Sequence, residues 1–168
     1  MVGAPVRSFD YVNHPYATVR AALAADPVAV FRSATRAAVA RARSVAAQLH
    51  VSIAGVDVAT NIAVSTGEIA EEPTGPSGGP VTRIPIYWEA ADRPGLFPFM
   101  NAVLSVYPLT STETQLDLEG HYEPPLGLVG LAVDALGLRR LAEASVHRFI
   151  SDVARYLREE LVDADKRP

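Results

Sequence analysis

The chain carries four histidines, His14, His50, His121 and His147, and no cysteine. Histidine is the side chain that most readily moves protons near neutral pH and the commonest metal ligand. No two of these histidines stand at the spacing of a metal motif, so no metal is implied. Glu143 and His147 are at i,i+4 and can face each other on a helix, where such a pair is ordinarily a surface contact. His121 shares the polar side of an alternating run with Glu119. His14 follows Asn13, and a turn or cap role is its simplest assignment. Serine-based acyl transfer needs its nucleophile on a sharp exposed turn. The G-x-S-x-G elbow that provides one is absent. Gly75-Pro76-Ser77-Gly78-Gly79 looks like a phosphate cradle. No Lys-Ser/Thr follows it and no helix opens there, so it lacks the backbone donors and dipole that hold phosphate. It reads as a loop, no cofactor is implied, and no residue is assigned a catalytic role.

Two other groups bear on binding. Arg32, Arg36 and Arg43 fall close to one helical stripe, with Arg41 to one side, and no acid occurs between Asp26 and Asp57. Such a stripe is ordinarily a solvated face. Its functional reading is docking of an acidic partner or an anionic membrane surface. Nucleic acid is disfavoured, because no aromatic residues interleave with these arginines. Trp88 and Tyr122 fall on apolar strand faces, where a ring can pack in the core or orient a ligand through its N–H or O–H.

The elements that must position these residues follow from pattern. Arg7 to Asn13 alternates and reads as a short strand, and Thr18 to Ala25 as a short helix. Asp26-Pro27 is a helix start, with an acidic cap and proline in the first turn. The Ala- and Arg-rich run to Gln48 has no interior breaker and reads as a helix. The period then shortens. Val51 and Ile53 alternate, and Gly55 to Asp57 reads as a turn. Val58 to Thr66 keeps one face apolar, and Glu71 to Pro80 is loop-like. Three strands follow, with Ile84, Ile86 and Trp88 on one face of the first. Met100, Ala102, Leu104 and Val106 share a face of the second. In the third, Thr114, Leu116, Leu118, Gly120 and Tyr122 oppose Glu113, Gln115, Asp117, Glu119 and His121, which predicts an antiparallel sheet with one dry and one wet face. Arg93 to Phe99 reads as a hairpin loop, with a lid at a cavity mouth as the other possibility. From Leu138 to Tyr156 the apolar residues recur at helical spacing, with a break expected near Gly137.

Composition sets the outer bounds. At 168 residues, 49% hydrophobic and 20% charged, the chain can bury a core and is not a disordered one. Residues 1–162 read as one domain and 163–168 as a charged tail. A net charge of -4 disfavours a general nucleic-acid binder. No signal peptide is visible, and the apolar stretch from Leu126 to Leu138 contains Asp134 and is too short to span a bilayer. A cytoplasmic protein is the expectation.

A sheet with one apolar face must cover it, and the long last helix has the only matching stripe. The expected fold is therefore α+β, a curved antiparallel sheet wrapped around a long C-terminal helix. Such a sheet cannot close tightly on a helix about 10 Å wide along its whole length, so a cavity between them is expected.

The entry Asn13-His14-Pro15, with Val19 and then Asp26-Pro27, carries one part of a family resemblance. The segment Leu118-Glu119-Gly120-His121-Tyr122-Glu123-Pro124-Pro125-Leu126-Gly127-Leu128-Val129-Gly130, with Asp134 after it, carries the other. Together they resemble the START-like (Bet v 1-like, SRPBCC) superfamily with its helix-grip fold, in particular polyketide cyclase/dehydrase-like and CoxG-like members. Five strands are counted between the helical parts where that superfamily usually has six. The resemblance implies a hydrophobic cavity for lipids, polyketides, sterols or hormones, and transfers no catalytic motif.

Strand phase proposes Trp88, Met100, Leu116, Leu118, Tyr122, Leu141, Ser145 and Phe149 as its lining. The leading expectation is binding or transport of a small hydrophobic or amphipathic ligand. A cyclase/aromatase-like enzyme ranks second, because the dry face supplies Tyr122, Thr60 and Thr114 but no inward Asp, Glu or His. A protein-interaction domain working through the Arg-bearing helix ranks third.

Overall fold

The computed structural model describes residues 4–48, 62–90, 99–123 and 135–165. Its elements run β1 (Ala4–Val12), α1 (Tyr16–Ala25), α2 (Pro27–Gln48), β2 (Ile62–Thr66), β3 (Ala70–Glu72), β4 (Val81–Ala90), β5 (Phe99–Pro108), β6 (Thr114–Glu123) and α3 (Ala135–Asp165).

Local chemistry accounts for the boundaries. Asp26 Oδ1 accepts the Ala29 N–H at 3.0 Å and so satisfies one of the orphan donors of α2. Between α1 and β6, Thr114 Oγ1 donates to the His14 carbonyl at 2.8 Å, which anchors the turn that leaves β1. The β5–β6 turn is closed by Leu109 N–H donating to Glu113 O at 2.9 Å. Pro85 lies mid-strand in β4, where a missing N–H would normally cost a ladder bond. It sits where the neighbouring strand changes: β2 pairs as far as Ile86, and β3 begins at Arg83.

The six strands form one antiparallel sheet in the order β1-β6-β5-β4-β2, with β3 also paired to β4. Strands β1 and β2 are therefore at opposite ends of that order, and α1 and α2 carry the chain between them. The sheet is open and curved, and α3 packs along its inner face and against α2. This is the helix-grip fold.

On the inner face the register aligns Val64, Trp88, Met100 and Tyr122 in one cross-strand row, then Ile86, Ala102, Gly120 and Val6, then Ile84, Leu104, Leu118 and Ser8. From α3, Ala142, Val146, Phe149, Ile150 and Val153 are buried in the same hydrophobic core. Phe149 links three elements. Its ring meets Trp88 of β4 edge-on at 5.2 Å and stacks on Phe31 of α2 at 6.0 Å.

Three expectations need correction. Part of the stretch from Glu71 to Pro80 read as loop is strand, because Glu71 and Glu72 pair with Thr82 and Val81. The described strands between α2 and α3 number five, β2 to β6, with β3 a strand that was not expected. Asp117, placed on the wet face, is only 7% exposed, because Arg7 covers its carboxylate. Lastly, α3 runs without a break through Gly137 and continues to Asp165, inside the segment expected to be a tail. The expected strand residues Val51, Ile53, Val58 and Thr60, and the loop from Arg93 to Pro98, lie outside the described residues.

Candidate functional site

Six of the eight proposed lining residues have described side chains, and the fold brings them into one core. Trp88, Met100, Leu116, Leu118, Ser145 and Phe149 are all almost fully buried. Trp88 and Met100 are cross-strand partners, as are Leu118 and Leu104. The backbone puts Tyr122 beside Met100 in the register and Leu141 in α3. The side chains of Tyr122 and Leu141 lie outside the described ones. Four strands, α2 and α3 thus converge on this interior, as the alternation and helical stripe predict.

The polar part of the interface was not legible in the same way. Between the amino-terminal half of α3 and the β1–β6 pair lies an open cleft of about 700 Å³. On one wall, α3 presents Arg139, Glu143 and His147, spaced i, i+4 and i+8 and so on a single helix face. The other side comprises Pro5, Val6, Arg7 and Ser8 of β1 with Glu119, Gly120 and His121 of β6. Val6 is only 4% exposed and belongs both to the cleft and to the hydrophobic core. Gly120 lets β6 come close to β5 at this point. A Cβ there would stand 2.2 Å from the Asn101 carbonyl oxygen and 2.5 Å from the Ala102 Cα, so only glycine fits.

The Glu143–His147 pair expected from spacing does not form. Glu143 is instead taken by Arg139, whose Nε donates to Oε1 at 2.7 Å. The His147 ring turns across the cleft, with Nδ1 3.3 Å from Ser8 Oγ. His121 borders the same cleft from β6, but its place in the strand alternation puts its side chain on the sheet face opposite α3. His14 has the local role expected of it, donating its backbone N–H to Val12 O at 2.8 Å. Two signals pointed toward the cleft: a polar i, i+4, i+8 stripe on an apolar-faced helix, and a glycine inside a regular strand alternation. Neither says which strand the stripe meets.

The opposite face of the sheet carries its own polar strip. Arg7 grips Asp117 in a bidentate pair, Nε to Oδ1 at 3.1 Å and Nη2 to Oδ2 at 2.7 Å. In the same cross-strand row, Arg83 donates to Ser105 Oγ at 3.0 Å and to Glu72 Oε1 at 2.8 Å. Burial, followed by the adjacent Asp117 carboxylate, raises the Tyr107 hydroxyl above the usual tyrosine range, with Arg7 acting in the opposite direction. Asp117 raises the Arg7 guanidinium through its hydrogen bond and its charge, so Arg7 stays a cation. On α2, Arg32 and Arg36 are exposed, while the Arg43 side chain lies outside the described ones. Among the described residues, no group of three or more His, Cys, Asp or Glu could hold a metal. No described helix is long and apolar enough to cross a membrane.

No protein-family model matches the chain, and no curated protein matches it at a significant level. Solved structures do resemble it in fold. The ZhuI aromatase/cyclase from Streptomyces sp. R1128 is 15% identical with a TM-score of 0.45, covering 97% of this chain and 96% of its own. A START superfamily protein from Mycobacterium smegmatis is 15% identical with a TM-score of 0.44, covering 95% and 99%. A hypothetical protein, jhp0584, from Helicobacter pylori is 7% identical with a TM-score of 0.46, covering 94% and 89%. Likeness at this level assigns no function. The element order and strand pairing described above are those of a helix-grip fold.

Proposed function

We propose that the protein binds or transports a small hydrophobic or amphipathic molecule between its sheet and α3. One observation carries this reading. The interface is tightly packed around Phe149 yet opens at the amino-terminal half of α3 into the cleft of about 700 Å³, with Val6 joining that cleft to the core. That volume is in the usual range for small-molecule sites. Binding would draw on burial of apolar ligand surface, worth roughly 25 cal/mol per Å². The apolar residues that would receive it are Trp88, Met100, Leu116, Leu118 and Phe149, with Ser145, Tyr122 and Leu141 completing the proposed lining.

A cyclase-like enzyme is the second reading, and one observation favours it. His147, an exposed side chain whose Nδ1 lies 3.3 Å from Ser8 Oγ, is a residue type used for proton transfer and borders the cleft. An enzyme would return a bound molecule chemically altered, whereas a carrier would return it unchanged.

The chain has a single tryptophan, and Trp88 lies in the core, so its fluorescence reports on the interior. The test is mass spectrometry of an organic extract of the purified protein, followed by titration with dodecanol while Trp88 emission is recorded. A co-purifying compound near one equivalent, or a saturable change with dodecanol, is expected. A folded protein with a clean extract and a flat titration overturns the reading.

A further inference from the structure

We propose that the free edge of β1 is a self-association surface whose occupant is a second copy of this chain, paired antiparallel with the two Ser8 residues facing each other across a two-fold axis. The sheet ends at β1, which pairs with β6 on one side and with no described strand on the other. Successive residues of a strand turn their backbone groups to alternate sides. The β5–β6 turn fixes the phase. Leu109 faces Glu113 and donates its N–H to that carbonyl, so the odd-numbered residues of β6 bond β5 and the even-numbered ones bond β1. On β1, therefore, Ala4, Val6, Ser8, Asp10 and Val12 bond β6, while Pro5, Arg7, Phe9 and Tyr11 turn their backbone to the edge. Tyr11 has the expected phase: its N–H is given to Asp10 Oδ1 at 2.8 Å, and its carbonyl accepts from Arg158.

The edge is thus closed at both ends and open between them. Pro5 has no N–H, and both backbone groups of Tyr11 are already satisfied. Arg7 and Phe9 each keep a free N–H and a free carbonyl among the described residues, a template for another strand. One antiparallel register matches this pattern to itself. Centred on Ser8, it sets Arg7 opposite Phe9 of the second copy and Phe9 opposite its Arg7, so each open residue meets an open residue. Pro5 then falls opposite Tyr11 of the second copy, and the residue without an N–H meets the one whose carbonyl is already satisfied. Centred on Phe9, Arg7 would meet the occupied Tyr11. Centred on Arg7, two like charges would face each other. The side chains agree with the backbone. Phe9 is 67% exposed, the most exposed large apolar side chain among the described residues. In the Ser8 register its ring would lie beside Arg7 of the second copy, whose guanidinium is held in place by Asp117, and a cation–π contact would form. The two-fold axis makes that contact twice and closes the assembly at two chains.

The test is sedimentation velocity of the full chain between about 10 µM and about 1 mM, the range suited to a small interface. A reversible monomer–dimer equilibrium is expected. Phe9→Pro deletes the edge N–H and the ring but no bond of the β1–β6 ladder, and Pro5 already stands in the same phase. It should keep the circular dichroism spectrum and weaken dimerisation at least about tenfold. The register is read separately by disulfide formation, since the chain has no cysteine of its own. Facing residues of a non-hydrogen-bonded pair have Cα atoms about 4.5 Å apart, within disulfide reach. Ser8→Cys should therefore oxidise to a covalent dimer. Tyr11→Cys should not, because its two copies would lie roughly 20 Å apart along the strands. A chain that stays monomeric up to about 1 mM overturns the proposal. So does a dimer that folded Phe9→Pro leaves unchanged, or a Tyr11→Cys variant that cross-links as fast as Ser8→Cys. Should Phe9→Pro lose its fold, the two cysteine variants decide.

Discussion

The two halves of α3 meet the same strand on opposite terms. Toward its carboxyl end the helix is fastened to β1. Arg158 donates to Asp10 Oδ1 at 2.8 Å and to the Tyr11 carbonyl, and its guanidinium lies 5.4 Å from the Tyr11 ring centroid. Those contacts also engage the outer edge of an edge strand, which otherwise presents unpaired backbone groups. Nearly two turns back, the Asp152 carboxylate is buried, accepting from Ser33 of α2 at 3.2 Å and from Arg155 at 2.6 Å. Toward the amino end, by contrast, the side-chain bond to β1 among the described residues is the Ser8–His147 contact at 3.3 Å, and the Arg139–Glu143 pair is exposed on both sides. One half is closed by committed charges, and the other is open and lined by groups still able to take a partner. A helix that is clamped at one end and stands off at the other is how a small domain can hold a packed core and a ligand site in the same interface.

Phe149 is the joint between the two halves, and its removal should have the largest effect. Phe149→Ala would strip the ring from between Trp88 and Phe31 and is expected to lower stability by about 3–5 kcal/mol in urea denaturation. Both halves should loosen together, with Trp88 emission shifting to the red as water enters. A loss under about 1 kcal/mol would mean that the interior is looser than its buried areas indicate.

Breaking the closed half alone should cost less. Asp152→Ala deletes the acceptor shared by Ser33 and Arg155, and a loss of about 1–3 kcal/mol is expected from the urea midpoint. Arg155 can turn to solvent, so the penalty for a stranded buried charge does not apply. Ligand binding should be unchanged, since Asp152 lies outside the cleft. If affinity falls as far as stability does, the two halves are not separable.

On the open half, Arg139→Gln should move stability by no more than ~0.5 kcal/mol, because an exposed i,i+4 ion pair contributes little. It is expected to shift the dodecanol titration, so that a residue nearly silent in denaturation speaks in a binding isotherm. A destabilisation equal to that of Asp152→Ala would erase the contrast between the halves.

The smallest effect belongs to the far side of the sheet. Tyr107 is raised in the folded state, so folding favours its protonated form. The associated stability is fully present below the ordinary tyrosine range and declines as pH rises through the folded value. Tyr107→Phe should therefore flatten the stability loss above about pH 10, followed by thermal melts. It should leave ligand binding alone, which makes it a control for the cleft variants.

Much of this architecture is legible in local pattern. The Asp26-Pro27 start, the long helix to Gln48 and the alternation of β6 each depend on neighbours a few positions away. β3 was missed because three residues between a glycine-rich loop and another strand are too few to show a period. Asp117 was misjudged because alternation assigns a face and not an exposure: its cover is Arg7, 110 positions away. The apolar candidates were legible for the same reason as the strands that carry them. The cleft was not, since Ser8 and His147 are 139 positions apart.

The sequence by itself determined which faces are apolar, where the helices begin, and that the last helix must cover the sheet. Those outcomes follow from hydrophobic periodicity and capping, which are properties of short windows. Only the tertiary structure decided that β1 lies beside β6, that one half of α3 is clamped to it and the other stands off, and that His147 turns to Ser8 instead of Glu143. Strand order sets these contacts, and the free-energy differences among alternative pairings depend on residues that are neighbours in space and strangers in sequence.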